Sequence, residues 1–275
     1  ADEARDAVRN TNAPQGVLRL GSMETTAATR LPSAIADFRR RHPRVELRLT
    51  TSHTAGLVQD VLNHQLDAAL VAGPVVHPDL EQLPVVVEDL VLISAADWAP
   101  IETSTDLARR GPVELITFRE GCSYRQRLLD WLWREGVPVA RSSTFGTFEG
   151  ILGCVAAGMG VSLVPRAILG PERAGTGMAQ PALRVHPLPP EVAKVTTLMV
   201  WHRARSRQPA REAFAESLAG FGGRRTDRKG SQHHDEDADH GKHPGIREPL
   251  LRPAGAAHGK ARRAGFLHID VSCHE

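Results

Sequence analysis

Hydrophobic and polar positions follow two periods between residues 16 and 221. Val17-Leu18-Arg19-Leu20 reads as a short strand ending at Gly21-Ser22. Leu31, Ala34, Ile35 and Phe38 then recur at i, i+3, i+4 and i+7, one face of a helix. Pro32 either kinks that helix or sits in its first turn, and His42-Pro43 stops it. Val45 to Leu49 alternates as a strand, and Leu57, Val58, Val61 and Leu62 predict a second helix. Ala68 to Ala72 is an unbroken run of small and apolar residues closed by Gly73-Pro74, which suits a strand covered on both faces. This β-α-β-α-β order implies parallel strands joined by right-handed crossovers.

Further along, Val85-Val86-Val87 and Leu90 to Ile93 predict strands around a bend at Glu88-Asp89. Leu115 to Phe118 is another strand. Arg125 to Glu135 reads as a helix with Leu128, Leu129 and Leu132 inward and Gly136 just past its end. Ser143 to Thr147 is a strand, Phe148 to Ala157 a helix ended by Gly158, and Val161 to Val164 a strand stopped by Pro165. Leu198 to Trp201 is a late strand. The final helix starts near Pro209 and aligns Phe214, Leu218 and Phe221. The chain builds one lobe, crosses to a second and returns to the first, so the fold class is α/β, two-lobed and doubly wound.

Composition changes past Gly222. Of the 53 residues from 223 to 275, 7 are Leu, Ile, Val or Phe, too few to offset the entropy of ordering the segment. The same stretch carries 7 of the 13 His, and it reads as a disordered His-rich tail. Over the whole chain, Lys+Arg is 34 against 32 for Asp+Glu, which excludes a strongly basic nucleic-acid binder. The 275 residues suit two small lobes. The 3 Cys, at 122, 154 and 273, exclude a disulfide framework and a Cys-based zinc site, and favour a reducing compartment. No apolar run approaches the ~18 residues of a membrane span. The opening ADEARDAVRN lacks the apolar core of a secretory signal.

Candidate chemistry gathers at four strand-to-helix junctions. Ser22, Glu24, Thr25 and Thr26 follow the first strand; Thr51, Ser52, His53 and Thr54 follow the second. Cys122, Ser123, Tyr124 and Arg125 follow the strand at 115, and Phe145, Gly146 and Thr147 mark the strand at 143. In open parallel sheets the crevice at the carboxyl ends of the strands binds ligands, and helix N-termini there offer free N–H groups to anions. The same Ser and Thr residues also suit ordinary helix caps. Arg125 can fork onto a carboxylate or be solvated; Glu24 can meet an amine or serve its own helix's first turn. Catalytic patterns are missing: there is no Gly-x-Ser-x-Gly elbow and no phosphate loop. Gly158-Met159-Gly160 begins a dinucleotide-like pattern, but Leu163 takes the third glycine position and a helix precedes it. Cys122 and Cys154 read as structural thiols. His233, His234, His240 and His243 read as solvated tail residues and not as a metal site. No catalytic residue, cofactor or metal is expected.

Gly16 to Gly21, then Leu31-Pro32 and Phe38 before His42-Pro43, resembles the opening of the effector-binding domain of LysR-type transcriptional regulators. Leu66 to Gly73 resembles that family's third strand, and Val155 to Pro165 its helix-to-strand return. The resemblance implies two lobes like those of type II periplasmic binding proteins. Residues 16–221 would form the domain, with lobe I about 16–75 and 185–221 and lobe II about 80–165. It also implies a small-molecule effector in the cleft, anionic or amino-acid-like, and a homodimer or tetramer in the bacterial cytoplasm. DNA would be met only through an N-terminal winged helix-turn-helix that is not in this sequence, residues 1–15 being the end of its linker helix. The 222–275 tail is not a family feature. The alternative is a periplasmic solute-binding protein of a transporter. A cleft enzyme using Cys122 is a third reading, and the one adopted is non-enzymatic.

Overall fold

The structure, a computed structural model, describes residues 13–169, 182–205 and 207–219. The expectations for a linker helix before residue 13, for Phe221, for Cys273 and for the tail lie outside the described residues. In the first lobe β1 (Gly16–Ser22) pairs in parallel with both β2 (Val45–Thr51) and β3 (Ala68–Ala72). Helices α1 (Glu24–Thr29) and α2 (Leu31–Arg41) join β1 to β2, and α3 (Thr54–Leu62) joins β2 to β3. Pro32 sits in the first turn of α2, where its missing N–H has no partner to lose, so the break falls before it at Arg30. Leu31, Ala34 and Phe38 are buried, as their spacing predicts. All of β3 is buried because both faces are covered. Ala69 and Val71 meet Leu57 and Val61, whereas Ala68 and Leu70 meet the cluster of Phe38.

The chain leaves this lobe through β4 (Leu80–Ala95), one strand of 16 residues. The bend expected at Glu88-Asp89 is not there. The ladder is interrupted instead between Pro84 and Val86, because proline cannot donate to it. Glu88 stays in the strand because Arg30 neutralises it. Arg30 Nε and a terminal nitrogen donate to the two carboxylate oxygens at 2.9 and 2.8 Å.

In the second lobe α4 (Ser104–Ala108) precedes β5 (Val113–Phe118), and α5 (Ser123–Arg134) leads to β6 (Val139–Phe145), parallel to β5. This strand begins before the expected Ser143 and ends two residues before Thr147, which instead caps α6 (Phe148–Ala156). β7 (Ser162–Pro165) and β8 (Leu183–His186) both pair antiparallel with the last residues of β4. Leu90 and Leu92 of β4 face the cluster of Leu115 and Leu128, while Val91 and Ile93 face that of Ile116 and Ile151.

Residues 183–186 therefore run with the second lobe, and the chain returns after His186. It passes α7 (Pro190–Ala193) and enters β9 (Lys194–His202), which lies antiparallel between β3 and the first half of β4. The first-lobe sheet is mixed, ordered β2-β1-β3-β9-β4, because the returning strand arrives from the opposite direction. α8 (Pro209–Leu218) closes the lobe, with Phe214 edge-on to Phe38 at 5.2 Å. At the start of β3, buried Asp67 accepts from Arg19 at 2.8 Å and from Arg205 at 2.8 Å. Burial pushes this carboxyl up, but the Arg19 hydrogen bonds outweigh it and hold it below the ordinary carboxylate value.

His186 is wholly buried beside β4. Its Nε2 lies 2.7 Å from the Ser94 hydroxyl, which itself donates to Ala95 O, and its Nδ1 accepts from Ile101 N at 3.0 Å. The ring is thus a neutral Nε2–H tautomer. Burial, with Arg184 and Arg110 adding to it, pushes its pKa down from 6.5 to about 4. The unfolded chain therefore binds the extra proton first as pH falls, and stability is lost from pH 6.5 downward through about 4. Urea unfolding between those limits should show a pH slope up to about 1.4 kcal/mol per unit steeper for the native chain than for His186→Gln. Superimposable slopes would show that the imidazole is not held neutral.

Candidate functional site

Loops at the carboxyl ends of β1, β2, β5 and β6 enclose a cleft of about 250 Å³ between the lobes. Lobe I contributes Met23, Glu24 and Thr25 past β1, and Thr51, Ser52, His53 and Thr54 at the end of β2. Lobe II contributes Phe118, Arg119, Cys122 and Tyr124 around the β5–α5 turn, and Phe145 and Gly146 at the end of β6. Ten of the sequence-selected positions thus meet in one place: Glu24, Thr25, Thr51, Ser52, His53, Thr54, Cys122, Tyr124, Phe145 and Gly146.

Five do not line the cleft. Ser22 is fully buried and donates to the neighbouring Met23 carbonyl at 3.0 Å. Thr26 is buried in α1, one residue past Thr25, where a helix has turned by about 100°. Ser123 opens α5 without reaching the cleft, and Arg125 lies 4.0 Å from Glu120. Thr147 spends its hydroxyl on capping α6, accepting from Gly150 N at 3.3 Å. Met23, Phe118 and Arg119 also line the cleft, although none is the small hydroxyl type that marks these junctions in the sequence. Met23 and Arg119 are the first residues past β1 and β5, and that position alone marks the crevice edge.

Among the described residues, two hydrogen bonds cross the cleft. Glu24 Oε1 accepts from Phe148 N, at the start of α6, at 3.4 Å. Ala55 N donates to Gly121 O at 3.4 Å. Burial pushes the Glu24 carboxyl up; the Phe148 N–H opposes this and neighbouring Glu149 adds to it. Thr54 is committed within its own lobe, accepting from Ala72 N at 3.3 Å and donating to Met23 Sδ at 3.5 Å. His53 Nδ1 accepts from Gly56 N at 3.0 Å and so caps α3. Cys122, which precedes α5, makes no capping hydrogen bond. Burial pushes its thiol up, and the nearby Arg125 and Tyr124 N–H groups do not overcome that. The Tyr124 hydroxyl is buried without a well-formed hydrogen bond among the described residues; burial pushes the phenol well above its ordinary value, and the approach of the Thr25 side chain only partly opposes this. The Arg119 guanidinium, exposed at the rim, has no hydrogen bond or ion pair among the described residues. The same residues offer no group of three His, Cys, Asp or Glu placed to hold a metal.

Two α/β lobes with a polar cleft at the carboxyl ends of their strands define a small-molecule-binding domain of the type II periplasmic-binding-protein architecture. The chain belongs to the LysR substrate binding domain family, whose model matches residues 11–222. It is 38% identical over 214 residues to the HTH-type transcriptional regulator GltR of Bacillus subtilis strain 168, covering 78% of this chain and 69% of that protein. It is 37% identical over 203 residues to the HTH-type transcriptional regulator SoxR of Arthrobacter sp. strain TE1826, covering 74% and 65%. The fold matches a full-length OxyR variant from Pseudomonas aeruginosa with a TM-score of 0.62 at 24% identity, over 79% of this chain and 73% of that one. It also matches the C-terminal domain of a probable LysR family regulator from Rhodococcus sp. RHA1 with a TM-score of 0.60 at 21% identity, over 74% and 100%. These relatives are transcriptional regulators and not transporter receptors, which overturns the solute-binding alternative. LysR-type regulators bind small-molecule effectors, oligomerise and meet DNA through an N-terminal domain.

Gly121 makes the interlobe contact specific. It holds φ +84, and a Cβ there would lie 2.4 Å from His53 Nδ1. Gly121→Ala should cost about 1–2 kcal/mol for the left-handed backbone alone, plus the clash. In a His53→Ala background, which has already lost the α3 cap, the same Gly121→Ala substitution should cost only the backbone share; the variants are thus Gly121→Ala, His53→Ala and the double. Thermal unfolding of the three variants measures both parts, and an unchanged melting temperature for Gly121→Ala would rule out the contact in solution.

Proposed function

We propose that this domain senses a small anionic or amino-acid-like effector and thereby sets the activity of a cytoplasmic, DNA-binding LysR-type regulator. The observation that carries this reading is the cleft itself. It joins both lobes, lacks a capping side chain at the α5 N-terminus and includes an Arg119 with no partner among the described residues. Free N–H groups at a helix N-terminus and a guanidinium both favour an anion. A ligand touching both lobes stabilises one lobe arrangement by as much as its affinity differs between arrangements. The regulator would work as a homodimer or tetramer, contacting DNA through a winged helix-turn-helix like that of its relatives. A binding role also suits the thiol chemistry, since a nucleophilic cysteine needs its pKa lowered and that of Cys122 is raised. No described helix is long and apolar enough to cross a membrane.

Two measurements test this. In thermal-shift assays against small carboxylates and amino acids, at least one compound should raise the melting temperature. Gly146→Leu, which fills the cleft, should abolish that shift. Backbone tolerance is expected there, because a Cβ on Gly146 meets only Arg119 at 3.6 Å. A shift that survives Gly146→Leu would place the ligand elsewhere. In sedimentation the chain should self-associate, and a monomer at high micromolar concentration would remove the oligomer.

A further inference from the structure

Three polar groups around the cleft lack the partners that buried or charged groups normally find. Glu24 is half-buried, and its one hydrogen bond is the long 3.4 Å contact from Phe148 N; no cation pairs with it among the described residues. Arg119 lines the same cleft from the other lobe and, among the described residues, pairs with no carboxylate, Glu24 included. Tyr124, 3% exposed and the only tyrosine of the chain, has a hydroxyl that the Thr25 side chain approaches but that completes no well-formed hydrogen bond among the described residues. Buried polar groups are nearly always hydrogen-bonded, and a group left without a good partner costs free energy.

The two opposite charges border the same segment of lobe II. Arg119 comes to 3.6 Å from the Cβ position of Gly146, and Glu24 reaches Phe148 N two residues on. Two unlike charges held apart on facing lobes, beside a buried hydroxyl, are complementary to a molecule carrying both signs. We infer that the effector is a zwitterionic amino acid: its ammonium meets Glu24 of lobe I, its carboxylate meets Arg119 of lobe II, and Tyr124 donates to one of its oxygens. This rests on the cleft being the effector site. Met23, Phe118 and Phe145 then provide the apolar wall for the remainder of the ligand.

Burial favours the uncharged phenol, so Tyr124 stays a donor and does not repel the carboxylate. Burial also disfavours a bare Glu24 carboxylate, and an arriving ammonium relieves that cost by pairing with it. The ligand's ammonium competes with the α6 N-terminus for the same oxygen. Binding therefore exchanges a direct lobe-to-lobe hydrogen bond for one that passes through the ligand.

Titration of the whole chain with the common L-amino acids, beginning with leucine, tests the class. Each is compared with its desamino carboxylate and with its amide, such as 4-methylpentanoate and leucinamide for leucine. At least one amino acid should bind, with both analogues weaker by about tenfold or more. Glu24→Gln should shrink the preference for the amino acid over the desamino acid, and Arg119→Met the preference for the amino acid over the amide. These ratios are read within each variant, so a general loss of stability does not imitate them. A desamino acid that binds as tightly as its amino acid, ratios unmoved by either substitution, or no binding by any amino acid would overturn the inference. Binding that Gly146→Leu blocks while the ammonium proves irrelevant would overturn the zwitterion alone; binding indifferent to Gly146→Leu would overturn the cleft itself.

Discussion

One strand has to serve two sheets in this domain, and Glu88 lies where β4 changes partners. Up to Asp89 the strand is paired with β9; from Leu90 it is paired with β7 and β8. At 3% exposure, a carboxylate at this point is expensive unless matched, and Arg30 matches it with two nitrogens. Such a pair adds little net stability, since desolvation consumes most of the attraction. Its contribution is geometric. Arg30 closes α1 and opens α2, so the fork ties the helix carrying Glu24 and Thr25 to the strand that crosses between lobes. The Glu88 charge also reaches Tyr124 and adds to the rise of its pKa, so the crossing strand and the cleft share one electrostatic neighbourhood.

The cleft divides its polar groups by task. His53 is used locally, as the cap of α3, and Thr54 holds Ala72 in place. Glu24, Arg119 and Tyr124 are not consumed in that way. A domain that left such groups idle for no purpose would lose stability and gain nothing. Glu24 and Tyr124 are held by buried scaffold, so the entropy of ordering them is spent on folding, whereas the exposed Arg119 is ordered on binding. The polar interlobe contacts across the cleft are long, two hydrogen bonds of 3.4 Å, beside the packing of Gly121 on His53 and an apolar cluster that runs from Met23 to Tyr124. The long hydrogen bonds at the cleft rim are the contacts that a ligand there would replace.

Much of this architecture was legible along the chain. The period of Leu31, Ala34 and Phe38 marks the buried face of α2, and the run from Ala68 to Ala72 marks a strand covered on both sides. The four strand-to-helix junctions pointed to the cleft, because parallel strands must send their carboxyl ends to the same edge. These are local signals, carried by spacing and by residue type.

Tertiary structure alone decided the rest. Glu88-Asp89 reads as a bend because two adjacent acids suit a turn; only the arrival of Arg30 and Lys194 makes them strand residues. The antiparallel placing of β9 depends on a chain that has first visited the other lobe. Among site residues, Thr25 and Tyr124 reach the cleft while Thr26 and Arg125 do not, although each pair is adjacent. One residue of helix turns a side chain by about 100°, and which direction faces the crevice is set by the lobe opposite, not by the segment itself. Sequence determined which segments would gather at the crevice edge; the packing of one lobe against the other decided which of their side chains look into it, since that depends on contacts more than a hundred residues apart, such as Glu24 with Phe148.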